Sequence, residues 1–114
     1  KLGLAYNHIG DEGALMLAIA LPRLTAMEEI NLGLNAIEDE GALALARASP
    51  HCHSLRVLSL RSNGIGNAGA AAIAETLPQC GALRELNLAR NSFDTVGLEV
   101  LAAARPNQLS LRLE

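Results

Sequence analysis

Apolar residues return along this chain at a fixed interval of 28. Leu2, Ile30, Leu58 and Leu86 form one column, and Leu4, Leu32, Leu60 and Leu88 form another two places on. Ile9, Ile37, Ile65 and Phe93 make a third column, and Leu17, Leu45, Ile73 and Leu101 a fourth. Polar and special residues keep the same step: Asn7, Asn35, Asn63, Asn91, then Gly13, Gly41, Gly69, Gly97, then Pro22, Pro50, Pro78, Pro106. So many columns in register identify a repeat array rather than one irregular globule.

Within a repeat the L-x-L segment alternates with a period of two, which predicts a strand. The G-A-x-x-L-A segment spaces its apolar residues by three and four, which predicts a helix. Asp11, Asp39, Asn67 and Thr95 share the column just before that helix. Their oxygens are expected to cap it as N-caps, accepting from its free backbone N–H groups. The first helix is then expected over about Glu12 to Leu21, and proline ends it by pushing the preceding residue out of the helical region. The expected unit is strand, loop, helix, loop, with repeats at about 1–27, 28–55, 56–83 and 84–107 and a terminal strand within 108–114.

No single repeat can bury its own apolar face, so stacking must supply the core. One asparagine in every repeat, at the turn after the strand, predicts a structural ladder: Asn7, Asn35, Asn63 and Asn91 serve loop backbone groups that would otherwise be unpaired. Glycine two places after each cap position costs helix stability, so its expected value is close approach between neighbouring helices. The fourth repeat departs from the pattern. Phe93, Leu98 and Arg105 replace smaller or apolar residues, and Leu109, Leu111 and Leu113 alternate with Ser110 and Arg112, reading as a last strand about three residues early. Such a departure is expected of a terminal, core-capping repeat. The start shows no equivalent: Lys1-Leu2 already reads as strand, and Leu15, Met16 and Ile19 spread around the first helix, so a fragment of a longer array is expected.

The segments Met27–Asn35, Leu55–Asn63 and Leu83–Asn91 each read L-x-x-L-x-L-x-x-N with Met or Ile as variants, and Leu2–Asn7 shows the second half of the motif. The whole chain thereby resembles the leucine-rich repeat family, in its ribonuclease-inhibitor-like class. The resemblance implies an α/β solenoid, a horseshoe arc with parallel strands on the concave face and helices on the convex face. Similar repeats occur in cytosolic ribonuclease inhibitors, in the sensor regions of NOD-like receptors and in Ran GTPase-activating proteins. The unbroken 28-residue steps look most like the NOD-like-receptor type, since ribonuclease inhibitors alternate two repeat lengths. Three readings of function follow: a protein-interaction module, a GTPase activator of the Ran type, and a spacer whose helices pack on a neighbouring domain.

Strand alternation places Lys1, Gly3, Ala5, then Glu29, Asn31, Gly33, then Val57, Ser59, Arg61, then Glu85, Asn87, Ala89 on the concave side. Tyr6, Leu34, Ser62 and Arg90 follow just beyond the strands. These columns vary while the scaffold columns do not, as a binding surface requires. Anchors at interfaces favour Trp, Tyr and Arg, so Tyr6, Arg61 and Arg90, with Glu29, Asn31, Glu85 and Asn87, are the candidate partner-binding residues.

Composition narrows the rest. With one Phe, one Tyr and no Trp, the core must be aliphatic. A net charge of −3 with no basic stripe offers nothing to nucleic acid. No apolar run is long enough to span a membrane, no leader pattern opens the chain, and two cysteines are too few for a disulfide framework. A cytoplasmic, monomeric protein that takes a protein partner is the resulting expectation. The acidic group Asp11, Glu12, Glu38, Asp39 and Glu40 reads as ordinary helix starts, lacking the spaced ligands of a calcium loop. His51, Cys52 and His53 are adjacent on a loop, which suits tetrahedral zinc poorly, and Cys52 aligns with Cys80 as a small core residue. No cofactor, metal site or catalytic constellation is expected. No phosphate-binding glycine motif occurs either.

Overall fold

A computed structural model describes all 114 residues. Five strands alternate with four helices: β1 (Leu2–Gly3), α1 (Gly10–Ala20), β2 (Glu29–Asn31), α2 (Asp39–Ala48), β3 (Val57–Ser59), α3 (Asn67–Thr76), β4 (Glu85–Asn87), α4 (Thr95–Ala104) and β5 (Ser110–Arg112). The strands pair in chain order, all parallel. The sequence step passes directly into the register, with Leu2 opposite Ile30, Ile30 opposite Leu58, and Leu58 opposite Leu86. The last step is shorter, and Leu86 lies opposite Leu111. Each crossover carries one helix, and successive helices pack side by side over the sheet. The result is an α/β leucine-rich repeat solenoid, strands inside and helices outside.

One continuous core lies between the layers, built from Ile30, Leu32, Ile37, Leu45 and their counterparts in each repeat. Leu, Ile and Ala side chains fill most of it, with Cys52 and Cys80 among them, and each fully buried Leu or Ile stabilises by roughly 1.5–3 kcal/mol. The helix column with Ala14, Ala42 and Ala70 is buried completely, because larger residues there would hold neighbouring helices apart. The glycine column shows the same crowding. A β-carbon on Gly69 would lie 2.6 Å from Ile65 Cγ2 and 2.7 Å from Asp39 Oδ1.

The asparagine column links each repeat to the one before. Asn63 Oδ1 accepts from the backbone N–H of Asn35 (2.9 Å) and Ile37 (3.0 Å). Its Nδ2 donates to the carbonyls of Leu32 and Leu60, both at 3.0 Å. Asn35 does the same for Asn7, Ile9 and Leu4, and Asn91 for Ile65 and Leu60.

The acidic column corrects the expectation of local caps. Asp11, Asp39 and Asn67 do not cap their own helices. Asp11 Oδ1 accepts from Glu38 N–H (2.7 Å) and Gly41 N–H (3.0 Å), at the start of the next helix. Asp39 Oδ1 accepts likewise from Gly66 (2.7 Å) and Gly69 (3.0 Å). Asn67 Oδ1 accepts from Asp94 N–H. The residues at the N-cap positions of α2 and α3 are Glu38 and Gly66, neither with a side-chain bond. Only Asp94 caps its own helix, accepting from Val96 N–H. The close approach allowed by glycine brings one repeat's carboxylate within reach of the next helix's free N–H groups. α1 receives no such carboxylate. It starts at Gly10, earlier than the expected Glu12, through a turn with Gly10 at φ 65° and His8 at φ 51°.

Proline also acts differently from the expectation in three repeats. Leu21–Arg23, Ser49–His51 and Leu77–Gln79 continue the helices as 3-10 turns, with proline near the start. There the missing proline N–H falls on a position that needs no partner. Only Arg105, before Pro106, turns extended (ψ 119°), the conformation that a following proline favours. That removes the 3-10 turn and brings β5 in early.

Candidate protein-interaction surface on the inner sheet

Two rows of side chains cross the open side of the sheet. Glu29, Val57, Glu85 and Ser110 stand opposite one another in one row. Asn31, Ser59, Asn87 and Arg112 form the second. Neighbouring strands lie about 4.8 Å apart, so Glu29 and Glu85, two strands apart, are separated by roughly 10 Å. Residues of β3, β4 and β5 enclose a shallow cavity of about 220 Å³ on this side, with Ser59, Glu85, Asn87 and Arg112 among its lining.

Two polar side chains here are partly engaged already. Asn31 Oδ1 accepts from Gly33 N–H and Asn87 Oδ1 from Ala89 N–H, each at 3.0 Å. Their carbonyl oxygens hold the end of the strand. Gly33 and Ala89, expected on the open side, are buried instead, because the turn and the asparagine two places back close over them. Arg61, in the same column, stays exposed.

Beyond this column Tyr6, Leu34, Ser62 and Arg90 all adopt left-handed backbone, with φ between 58° and 64°. A non-glycine residue there is strained by about 1–3 kcal/mol, and the solenoid holds it in place. In three of the four the N–H still bonds to a carbonyl of the next repeat, Tyr6 to Gly33, Leu34 to Arg61 and Ser62 to Ala89. The left-handed turn swings these side chains outward, leaving Tyr6 74% exposed.

The charges separate along the strands. Glu29 and Glu85 stand at strand starts, while Arg61, Arg90 and Arg112 stand at or beyond strand ends. The molecule has one ion pair, Arg56 with Glu28 at 4.0 Å, both well exposed. None of these five charges is neutralised internally. Sequence reasoning singled out the Glu and Arg columns but passed over Arg112, whose place depends on the shortened last step. The signal available was the alternation of Leu109, Leu111 and Leu113, which puts Arg112 on the opposite side.

The two thiols are remote from this surface. Cys52 and Cys80 are free and buried, with Sγ donating to the carbonyls of Ala48 and Thr76. Burial raises the Cys52 thiol pKa. Burial, and then the neighbouring Cys52, push that of Cys80 up to about 11, against a smaller opposing hydrogen bond from Thr76. Neither is poised as a nucleophile. His51 and His53 are exposed on either side of buried Cys52.

Comparison with known proteins agrees with this architecture. The family model described as Leucine Rich repeat matches residues 1–18, 24–46, 51–74 and 82–102, well over half of the chain. The chain belongs to the leucine-rich repeat family. No curated protein matches it. Leucine-rich repeats are generally protein-interaction modules. No helix is long and apolar enough to cross a membrane.

Proposed function

We infer that this leucine-rich repeat protein binds a protein partner on its inner sheet, through Tyr6, Glu29, Asn31, Arg61, Glu85, Asn87 and Arg90, with Arg112 added by the geometry. The observation that carries the reading is the set of unpaired opposite charges on the open face of a rigid sheet. Charges arranged this way steer and orient a partner of complementary pattern. The bulky exposed Tyr6 supplies the kind of anchor that interfaces favour. An outer helix in every repeat and the unbroken 28-residue steps support the ribonuclease-inhibitor-like class, with the ligand-sensing arrays of NOD-like receptors as the nearest type. Fold analogy carries that last step alone.

The experiment is affinity capture from lysate with wild-type and Arg61→Glu/Arg90→Glu baits side by side, after melting curves show both folded. A partner retained by wild type and lost by the double variant is the expected result. Equal capture by both baits would move the binding site off the inner sheet.

A further inference from the structure

The outer side of the solenoid carries a groove of about 620 Å³ between α1 and α2. Ala18, Ala44 and Ala48 form its floor, and Leu15, Ile19 and Leu43 rise along its walls. Ile19 is 70% exposed and Leu15 53%. In the Ile19 column the later repeats hold Arg47, Glu75 and Ala103, and in the Leu15 column the half-buried Leu43 is followed by Ala71 and Glu99. A solvated helix face has no need of the large apolar residues found in the first repeat. The two ends of the groove differ in charge, with Glu12 and Glu40 at one end and Arg47 and His51 at the other. Asp11 is committed to the amides of Glu38 and Gly41, whereas Glu12, Glu40 and Arg47 are exposed and in no ion pair.

We propose that this groove docks an amphipathic α-helix of a partner protein, lying antiparallel to α1 and α2. The flanking helices of 11 and 10 residues offer about 15 Å of groove, or roughly three turns of a partner helix. Apolar anchors at i, i+3 or i+4, and i+7 then meet Leu15, Ile19 and Leu43, as in other helix-in-groove complexes. Charge sets the direction. Helices favour acidic residues in the first turn and basic residues in the last. Laid antiparallel, such a helix brings its basic last turn to Glu12 and Glu40 and its acidic first turn to Arg47. Laid parallel, it meets like charge at both ends. The groove and the inner sheet lie on opposite sides of the molecule, so this site stands independently of the one proposed above.

The probe is a fluorescent, side-chain-stapled helical peptide with a Leu stripe, Glu in its first turn and Lys in its last. Its neutral counterpart carries Gln at those positions and is stapled to equal helicity. In anisotropy titrations at low salt the charged peptide is expected to bind about three- to tenfold more tightly. Glu12→Gln/Glu40→Gln should bring it close to the level of the neutral peptide. Ile19→Ser, at an exposed position, should weaken both peptides while leaving the melting temperature unchanged. A nitroxide at the peptide N-terminus should broaden the amide signals of Arg47, Ala48, Ser49 and His51. Equal affinity for the two peptides, no binding of either, insensitivity to Ile19→Ser, or broadening at residues 11–14 instead would each overturn the proposal. So would self-association in sedimentation that depends on Ile19, which would assign the groove to a second copy of the chain.

Discussion

Asn63 and Asn7 occupy the same column but do different amounts of bonding. Asn63 serves backbone groups of two repeats through both ends of its amide, whereas the Asn7 side chain donates only to Ala5. Asn63→Leu would leave those loop groups unpaired, and a loss of about 1–3 kcal/mol is expected. Asn7→Leu should cost a fraction of that, and urea denaturation of the two variants makes the comparison. Glycines can be ranked in the same way. Gly69→Ala forces its new methyl against Ile65 and Asp39, and overpacking of this kind costs about 1–3 kcal/mol. Nothing lies within 4 Å of a β-carbon on Gly81, and its backbone is not left-handed. Gly81→Ala should therefore be neutral or stabilise slightly, by up to about 1 kcal/mol.

The Cys80 thiol gives a residue-scale prediction about pH. Its folded pKa of about 11 lies above the ordinary 9.0. The associated stability is fully present below pH 9 and is lost as pH rises through 11. The melting temperature should decline over that interval. Below it, alkylation by iodoacetamide should run about a hundredfold slower in the folded protein than after unfolding, because only the thiolate reacts. A native rate equal to the unfolded rate would show the thiol to be accessible and unperturbed.

At the scale of the element, α2 and α3 depend on the preceding repeat for their starts. Asp39→Ala should therefore weaken α3 rather than α2, which contains the residue. The expected loss is about 0.5–2 kcal/mol, the range for removing a cap, with faster amide hydrogen exchange at Gly66 and Gly69. Faster exchange confined to the first turn of α2 would contradict the cross-repeat geometry. This is also where the sequence was hardest to read. The periodic columns show that a side-chain oxygen stands at the start of each helix, in Asp11, Asp39, Asn67 and Thr95. A strict period, however, makes a bond within a repeat indistinguishable from a bond to the next repeat, so the partner was assigned one helix too early. Strand and helix positions were legible because stacking demands the same residue at each level of the core. The alternate strand positions were legible on the same grounds. The burial of Gly33 and Ala89 and the part-engaged amides of Asn31 and Asn87 were not, since they follow from a left-handed turn at residues that rarely adopt one. The outer groove was equally hidden, because it arises from which side chains two neighbouring helices bring together.

Across the whole molecule, contacts run between neighbouring repeats, so stability is expected to vary along the stack. Leu2, Leu4 and Ile9 are only partly buried, while their counterparts in the second repeat, Ile30, Leu32 and Ile37, are fully enclosed. α1 also lacks the carboxylate that holds α2 and α3. Hydrogen exchange should be fastest over α1 and slowest over α2 and α3, and uniform protection along the chain would show one cooperative unit instead. The array also has a direction. Asparagine amides reach back to the previous repeat, and acidic side chains reach forward to the next.

That two-way bonding sets a rule of inheritance. A unit copied or lost in whole steps of 28 residues meets, at each new junction, an amide reaching back and an acceptor reaching forward, so the array can change length by recombination without redesigning a joint. A change of a few residues inside a unit shifts both out of reach together. Lengthening such a molecule is thus a simple event for a genome, and altering its pitch is a difficult one.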